Sequence, residues 1–388
     1  MTLPIQQKSA NKYFTIGIDA RMLGSAQGGL GRYVEELIRN LEKLPTDFQF
    51  VIFLRKNNWE LYQPQNPNFR KVLADIPWYS WSEQTKLPQI LHQEKVDLMH
   101  FPHWNVPILY HAPFIVTIHD LLLLHFPTRE ASTLGPLSYF FKQFVFKRVL
   151  HHAVFRSRHI ITVSEFSKND IVKTLHVPDK KISVTYPAPL PLNNQTNNDQ
   201  NFPQSLNITK PYALYVGVAY PHKNLVRLLE AWKLFTEKNG AKYQLVLVGK
   251  KNFFYNRLLK QFTALFTSQS VVFTDYIADN VLPTIYKQAK LFIFPSLYEG
   301  FGLPPLEAMQ VGVPVISSNS TCLPEILGDA ALYFDGTDTT AMSQTLEQGL
   351  ADENLRKKLI TLGHKKYPQY SWKKLAKTTS EIYQNSVY

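Results

Sequence analysis

Glu299 and Glu307 stand eight residues apart in Phe294-Pro295-Ser296-Leu297-Tyr298-Glu299-Gly300-Phe301-Gly302-Leu303-Pro304-Pro305-Leu306-Glu307-Ala308-Met309, which reads as a strand end, a glycine turn and the start of a helix. Two carboxylates so placed can reach one cleft, where each can hydrogen-bond paired hydroxyls of a sugar or a ribose. Gly300 and Gly302 carry no Cβ, so backbone N–H groups can approach a phosphate there. Pro304 and Pro305 suit the first turn of a helix. The helix dipole alone favours an acid at Glu307, but it accounts neither for Glu299 nor for the glycines.

Three further turns carry groups of the same kind. Gln27-Gly28-Gly29-Leu30-Gly31-Arg32-Tyr33 sits ahead of a helix, where Gly29, Leu30 and Gly31 can present N–H groups to an anion; a loop merely tightened by glycines is the competing reading. His119 and Asp120 follow the apolar run Phe114–Ile118, at the end of a strand, where histidine can act as donor, acceptor or acid/base. Most single histidines are structural, and it is the position that favours a site. Lys223, in Tyr220-Pro221-His222-Lys223-Asn224, lies at a helix start, where a cation and free N–H groups together can hold a pyrophosphate. A solvated lysine is the alternative.

These turns must be positioned by the strands before them. Short apolar runs at Thr15–Asp19, Phe50–Leu54, Val96–His100, Phe114–Ile118, His159–Val163 and Ile182–Thr185 alternate with helical segments such as Arg32–Leu44 and Ser167–Leu175. The pattern resumes at Tyr212–Val216, Gln244–Val248, Val271–Tyr276, Leu291–Pro295, Val313–Ser317 and Ala331–Phe334, with helices at Leu225–Glu237, Asn280–Gln288, Pro305–Gln310 and Trp372–Asn385. Buried strands alternating with helices predict parallel sheets covered on both faces. The polar stretch 191–208 predicts a linker between a domain at 1–190 and one at 209–388. In open parallel sheets ligands sit at the carboxyl ends of strands, so all four turns fall where a cleft is expected.

Composition narrows the function. With 45% hydrophobic and 19% charged residues, the 388-residue chain is globular, and its length suits two or three domains. Its lone cysteine, Cys322, rules out a disulfide framework or a cysteine-rich metal site. No apolar segment approaches the ~20 residues of a spanning helix, and the polar N-terminus shows no signal peptide; a cytoplasmic location is expected. The net charge of +12 favours anionic partners, and residues 131–164 hold five basic residues and no acidic one. A dinucleotide oxidoreductase is disfavoured, because the third glycine of G-x-G-x-x-G is missing in both glycine turns. A basic nucleic-acid binder is permitted by charge but has no zinc-finger spacing and no aromatic ribonucleoprotein motif.

The stretch Ser296–Ala308 resembles the E-x7-E signature of retaining glycosyltransferases of family 4, and the resemblance extends over nearly the whole chain. It takes in the Gly28–Tyr33 turn, His119-Asp120, Thr162–Ser167, Pro221–Asn224, Val248-Gly249-Lys250 and Leu323-Pro324-Glu325. It implies the GT-B fold, an α/β architecture of two doubly wound Rossmann-like domains facing each other across a cleft, with the last helix (about 372–386) crossing back to the first domain. It further implies that Glu299 touches the transferred sugar, Glu307 the ribose hydroxyls, and His119, with Asp120 beside it, the donor sugar. Lys223 and the Gly300, Phe301, Gly302 and Leu303 backbone would hold the diphosphate, approached from the other domain by Gly29–Gly31.

The resemblance implies retention at the anomeric carbon, a nucleotide sugar as co-substrate rather than a cofactor, and no essential metal; the chain has no Asp-x-Asp for a metal-bound diphosphate. Pro-x-Lys-Asn at 221–224 resembles a subgroup that often uses GDP-mannose. The acceptor would be a saccharide or a lipid-linked saccharide. One departure is Val218 after Gly217, where many members carry arginine, leaving phosphate to Lys223 with Lys250 or Lys251. A nucleotide-sugar epimerase of the same fold is the nearest rival. For residues 137–150 a buried core helix is expected; the alternative is a patch holding the enzyme peripherally on the inner face of the cell membrane.

Overall fold

The computed structural model describes residues 14–127, 136–191, 202–262, 270–278 and 280–387. The polar N-terminus and most of the expected 191–208 linker lie outside the described residues. Seven parallel strands form the first sheet: β1 (Thr15–Asp19), β2 (Gln49–Leu54), β3 (Phe69–Leu73), β4 (Leu98–Phe101), β5 (Phe114–Thr117), β6 (His159–Thr162) and β7 (Ile182–Val184), in the order β3-β2-β1-β4-β5-β6-β7. Six more form the second: β8 (Tyr212–Val216), β9 (Gln244–Val248), β10 (Val271–Phe273), β11 (Leu291–Phe294), β12 (Val315–Ser318) and β13 (Ala331–Phe334), in the order β10-β9-β8-β11-β12-β13. Both are doubly wound, as the alternation predicts. Strand order reverses between β1 and β4 and again between β8 and β11, the places where crevices open beyond the carboxyl ends. Ile16 pairs with Phe50 on one side and Leu98 on the other, so β1 sits at the first of these reversals.

Burial explains why the central strands are continuous apolar runs. Every residue of β4, β5, β9 and β11 is buried, as helices covering both faces require. The helix Gly28–Leu41 buries Gly31, Tyr33, Val34, Leu37, Ile38 and Leu41, a stripe at helical spacing. It begins four residues earlier than the expected Arg32, so Gly28–Gly31 form its first turn rather than a loop before it. Gly31 permits this, since a Cβ there would collide with the carbonyl oxygens of Gly24 and Met22.

The C-terminal helix Trp372–Val387 packs on the first domain. Tyr383 is buried against the rings of Phe48 and Phe50, Trp372 lies 6.1 Å from Tyr33, and the Arg158 guanidinium donates to the Ser386 and Val387 carbonyls. At the centre of this contact is His100 of β4, fully buried between the Tyr383 hydroxyl (2.7 Å) and Thr117 Oγ1 (2.8 Å). Burial, with His119 nearby, lowers its pKa to about 3. The native state therefore holds it neutral, while the unfolded chain takes up its proton near pH 6.5. Its contribution to stability is whole above pH 6.5 and is lost as the pH falls toward 3, at up to about 1.4 kcal/mol per pH unit. His100→Gln should remove this slope; urea melts at pH 4.5 to 7 with equal acid slopes in both proteins would exclude it.

The helix Pro136–Arg156 departs from the buried core helix expected at 137–150. Phe146, Val149, Leu150, Ala153 and Val154 are buried, with Phe146 edge-on to Trp104 at 4.7 Å. Phe141 and Phe144, by contrast, are 63% and 57% exposed, and Val145 is exposed beside them. Aromatics spread round the wheel thus serve two faces, one packed on the domain and one in solvent, where Arg148 lies 5.0 Å over Phe144.

Candidate active site

The second domain supplies two charged groups in contact. The turn after β8 carries Lys223, and the Asn224 side chain anchors that turn by donating to the Pro295 and Gly336 carbonyls at 3.1 and 2.7 Å. Leu297 N–H donates to the His222 carbonyl at 2.8 Å, which fixes the β8 turn against the β11 turn. Lys223 Nζ consequently lies 2.5 Å from Glu299 Oε1, both side chains being mostly buried. Beyond them Gly302 adopts φ +92°, open to glycine at little cost, and caps the helix Leu303–Gln310. The Phe301 ring is buried near Tyr186 and Tyr370, so only its backbone can face a ligand. Cys322 is buried and donates to the Phe301 carbonyl, an inert structural thiol.

Glu307, on the first turns of that helix, accepts from the Tyr286 hydroxyl at 3.0 Å and lies 3.5 Å from Arg32 Nη1. Arg32 belongs to the first domain's glycine turn, so Gly29, Leu30 and Gly31 are brought to the helix bearing Glu307. The motif contains Arg32, but nothing local assigns it a role; its being the sole cation of that turn is the one signal the sequence offers. Lys250 and Lys251 are exposed at the end of β9, where the Lys251 backbone N–H donates to Asp275.

His119 and Asp120 follow β5 on the opposing wall. His119 Nε2 lies 2.9 Å from the Pro102 carbonyl, which can only accept, so Nε2 carries the proton and Nδ1 the lone pair. Burial lowers its pKa to about 4. Near neutrality His119 is therefore a hydrogen-bond acceptor and not an acid. Asp120 accepts the Leu122 N–H at 2.9 Å, and burial raises its pKa, with Glu299 acting in the same direction. A Cβ on Gly300 would lie 3.1 Å from Asp120 Cβ, so Asp120 stands beside the turn that carries Glu299.

The two walls meet along a polar seam. A Cβ on Gly300 would collide with the His119 carbonyl oxygen, so this glycine allows the domains to touch. Ser164 Oγ donates to the Gly300 carbonyl at 2.7 Å, and the Tyr298 hydroxyl donates to Asp170 at 2.6 Å. The Glu325 carboxylate accepts the Glu165 and Phe166 N–H groups, both at 2.9 Å, at the start of the helix Glu165–Leu175. An acid there complements the helix dipole across the domain boundary.

Sequence comparison bears on what such a cleft serves. Residues 27–188 match the family described as Glycosyltransferase Family 4, and residues 197–366 that described as Glycosyl transferases group 1. O-antigen chain mannosyltransferase B of Escherichia coli is 32% identical over 305 residues, 76% of this chain and 75% of that protein. The chain belongs to glycosyltransferase family 4. A second relative of this glycosyltransferase, O-antigen chain mannosyltransferase RfbU of Salmonella typhimurium, is 28% identical over 275 residues, 71% of each chain. Among solved structures, sucrose-phosphate synthase from Thermosynechococcus elongatus superposes with a TM-score of 0.72 at 19% identity, over 96% of this chain and 98% of that one. HepE from Anabaena, solved with UDP and glucose, gives 0.73 at 16% identity, over 96% and 99%. At such identities the likeness speaks for the fold, which is GT-B.

Proposed function

We propose that this glycosyltransferase moves a hexose from a nucleotide sugar, with GDP-mannose the favoured donor, to a saccharide or lipid-linked saccharide, with retention. The observation that carries the reading is that Lys223–Glu299, Arg32–Glu307 and His119-Asp120 all follow the carboxyl ends of β8, β11, β1 and β5, with Gly300 set against the His119 carbonyl. Glu307 takes the ribose hydroxyls in place of Arg32 and Tyr286. The released Arg32 joins Lys223 on the diphosphate, offsetting the valine at 218. Glu299 and the His119 Nδ1 lone pair accept hydrogen bonds from sugar hydroxyls. The mannosyltransferase relatives support mannose as the sugar and polysaccharide assembly as the setting.

Retention follows front-face transfer in this reading. The acceptor oxygen bonds to the anomeric carbon on the side from which the diphosphate oxygen departs, and a diphosphate oxygen takes the hydroxyl proton. The chain itself holds the developing charge and orients two substrates. Neither a cofactor nor a metal is assigned, the chain having no Asp-x-Asp. A trapped glycosyl-enzyme adduct would overturn this route, and epimerised donor without acceptor would favour an epimerase.

A thermal-shift panel of UDP-, GDP-, ADP- and dTDP-sugars on wild type and Glu307→Ala tests donor binding. At ~100 times its Kd the donor should stabilise wild type by about 2.7 kcal/mol, and the variant should lose the response. No shift by any nucleotide sugar at millimolar concentration would remove the reading.

The outward face of the helix Pro136–Arg156 supports peripheral contact with an anionic lipid surface. Exposed Phe141, Phe144 and Val145 lie among Lys142, Lys147 and Arg148, the pairing of apolar and basic groups that favours an acidic membrane interface. Phe141→Asp/Phe144→Asp should abolish sedimentation with phosphatidylglycerol vesicles while leaving the donor thermal shift intact. Equal sedimentation of variant and wild type would dismiss the contact.

A further inference from the structure

On the first-domain wall, beyond the groups assigned to the donor, Glu83 ties three loops together. It is buried, and its Oε1 accepts from Arg21 Nη2 at 2.7 Å and from Asn105 Nδ2 at 2.8 Å. Its Oε2 accepts the Tyr79 N–H at 2.7 Å, holding Tyr79 at φ +57°, a conformation uncommon for a bulky residue. Arg21 is in turn locked by Asp19, at 2.8 and 2.7 Å, and by the Ile76 carbonyl at 3.2 Å.

This hub sets the state of a histidine that the donor reading leaves unused. Because the Asn105 amide nitrogen donates to Glu83, its Oδ1 must be the atom facing His103 Nδ1, at 2.8 Å. An amide oxygen only accepts, so His103 carries its proton on Nδ1 and a lone pair on Nε2, which has no partner among the described residues. Burial holds the imidazole neutral, with a pKa lowered to about 4. His103 adjoins Pro102, whose carbonyl receives His119 Nε2, so the two imidazoles are neighbours at the ends of β4 and β5. Beside it the Trp104 ring lies 4.8 Å from His103 and 5.5 Å from the half-exposed Tyr79 ring, inclined by 32° to the latter. An aromatic shelf next to a fixed hydrogen-bond acceptor suits the apolar face and the hydroxyl edge of a sugar ring.

We infer that His103, Trp104 and Tyr79 form the subsite for a saccharide acceptor, in which His103 Nε2 accepts the hydrogen bond of an acceptor hydroxyl and Arg21, Glu83 and Asn105 are positioning residues that fix its tautomer. The inference rests on the transferase reading above and assigns no proton transfer to His103, since the diphosphate takes the proton.

Two measurements test it. In long-range 15N NMR of histidine-labelled protein, His103 should be the Nδ1-protonated tautomer at pH 7, and Asn105→Leu should abolish that preference. In mannosyl transfer from GDP-mannose to methyl α-mannoside and mannobiose, His103→Ala should lower kcat/KM for the acceptor by about 10-fold, the loss of one buried hydrogen-bond acceptor, with the GDP-mannose thermal shift unchanged. His103→Gln, which retains an acceptor oxygen, should recover part of the loss. An Nε2-protonated His103, or His103→Ala with wild-type acceptor kinetics, overturns the inference and leaves the transferase reading standing. A wild type that neither binds nor turns over any nucleotide sugar overturns both.

Discussion

Replacing Lys223 by alanine is expected to lower kcat/KM by about 100- to 1000-fold, the usual effect of deleting one preorganised group that meets charge developing in the transition state. Lys223 is held in place before any substrate arrives, because Asn224 pins its turn and Glu299 draws its ammonium to 2.5 Å. In the proposed transfer the departing diphosphate builds up negative charge, and a mostly buried cation already fixed beside it would stabilise that charge with little reorganisation. Lys223→Arg should recover only part of the rate, because a planar guanidinium does not reproduce a point charge in this turn. Removing Lys223 also leaves Glu299 near Asp120 without its counter-charge, so Asp120, already raised by burial, should rise further. Because Lys223 and Glu299 act as a pair, Lys223→Ala/Glu299→Ala should lose less than the product of the single losses. Single-turnover rates across the four proteins would measure the coupling. A Lys223→Ala enzyme within threefold of wild type would show that the diphosphate is held elsewhere.

Arg21→Met should be the most damaging single change to the fold of the first domain, by about 3–5 kcal/mol, the range for leaving buried charges unpartnered. Arg21 is 1% exposed, and its removal strands Asp19 and Glu83 together beneath the carboxyl ends of β1 and β4. The Ile76 carbonyl loses a donor as well. For a domain of this size the melting temperature should fall on the order of 10 °C. Glu83→Gln introduced into the Arg21→Met protein should restore part of the stability, because a neutral amide costs less to bury than an unpaired carboxylate. A melting temperature within 2 °C of wild type would mean that water reaches the two carboxylates and that the network contributes little.

Several residues of the candidate site are legible in the sequence because their signal is local. A strand of buried apolar residues ending in glycines, prolines or a lone polar pair marks a carboxyl end in any open parallel sheet. That pattern alone singles out Glu299, Glu307, Lys223 and His119, and the spacing of apolar runs predicts two doubly wound sheets. Elements with weaker signals escape such a pattern. β3 has Arg70 and Lys71 at its centre and only one buried residue, as an edge strand can. The helix Trp81–Gln93 contains Pro88, although Ser80 and Glu83 have the S-x-x-E spacing of a helix start and Glu83 N–H does donate to Ser80 Oγ.

Tertiary structure decides what lies far apart in the chain. Arg32 meets Glu307, Tyr298 meets Asp170, His100 meets Tyr383, and Arg21 meets Glu83 only because the strand order and the domain seam bring them together. The helix Pro136–Arg156 shows the same limit: its sequence has aromatics on every side, and only its neighbours determine which are covered. Short-range pattern encodes strand ends and turn chemistry, because steric and hydrogen-bonding preferences act over a few residues. Ion-pair partners, histidine tautomers and exposed faces depend on contacts between segments far apart in the chain, and those exist only once it has folded.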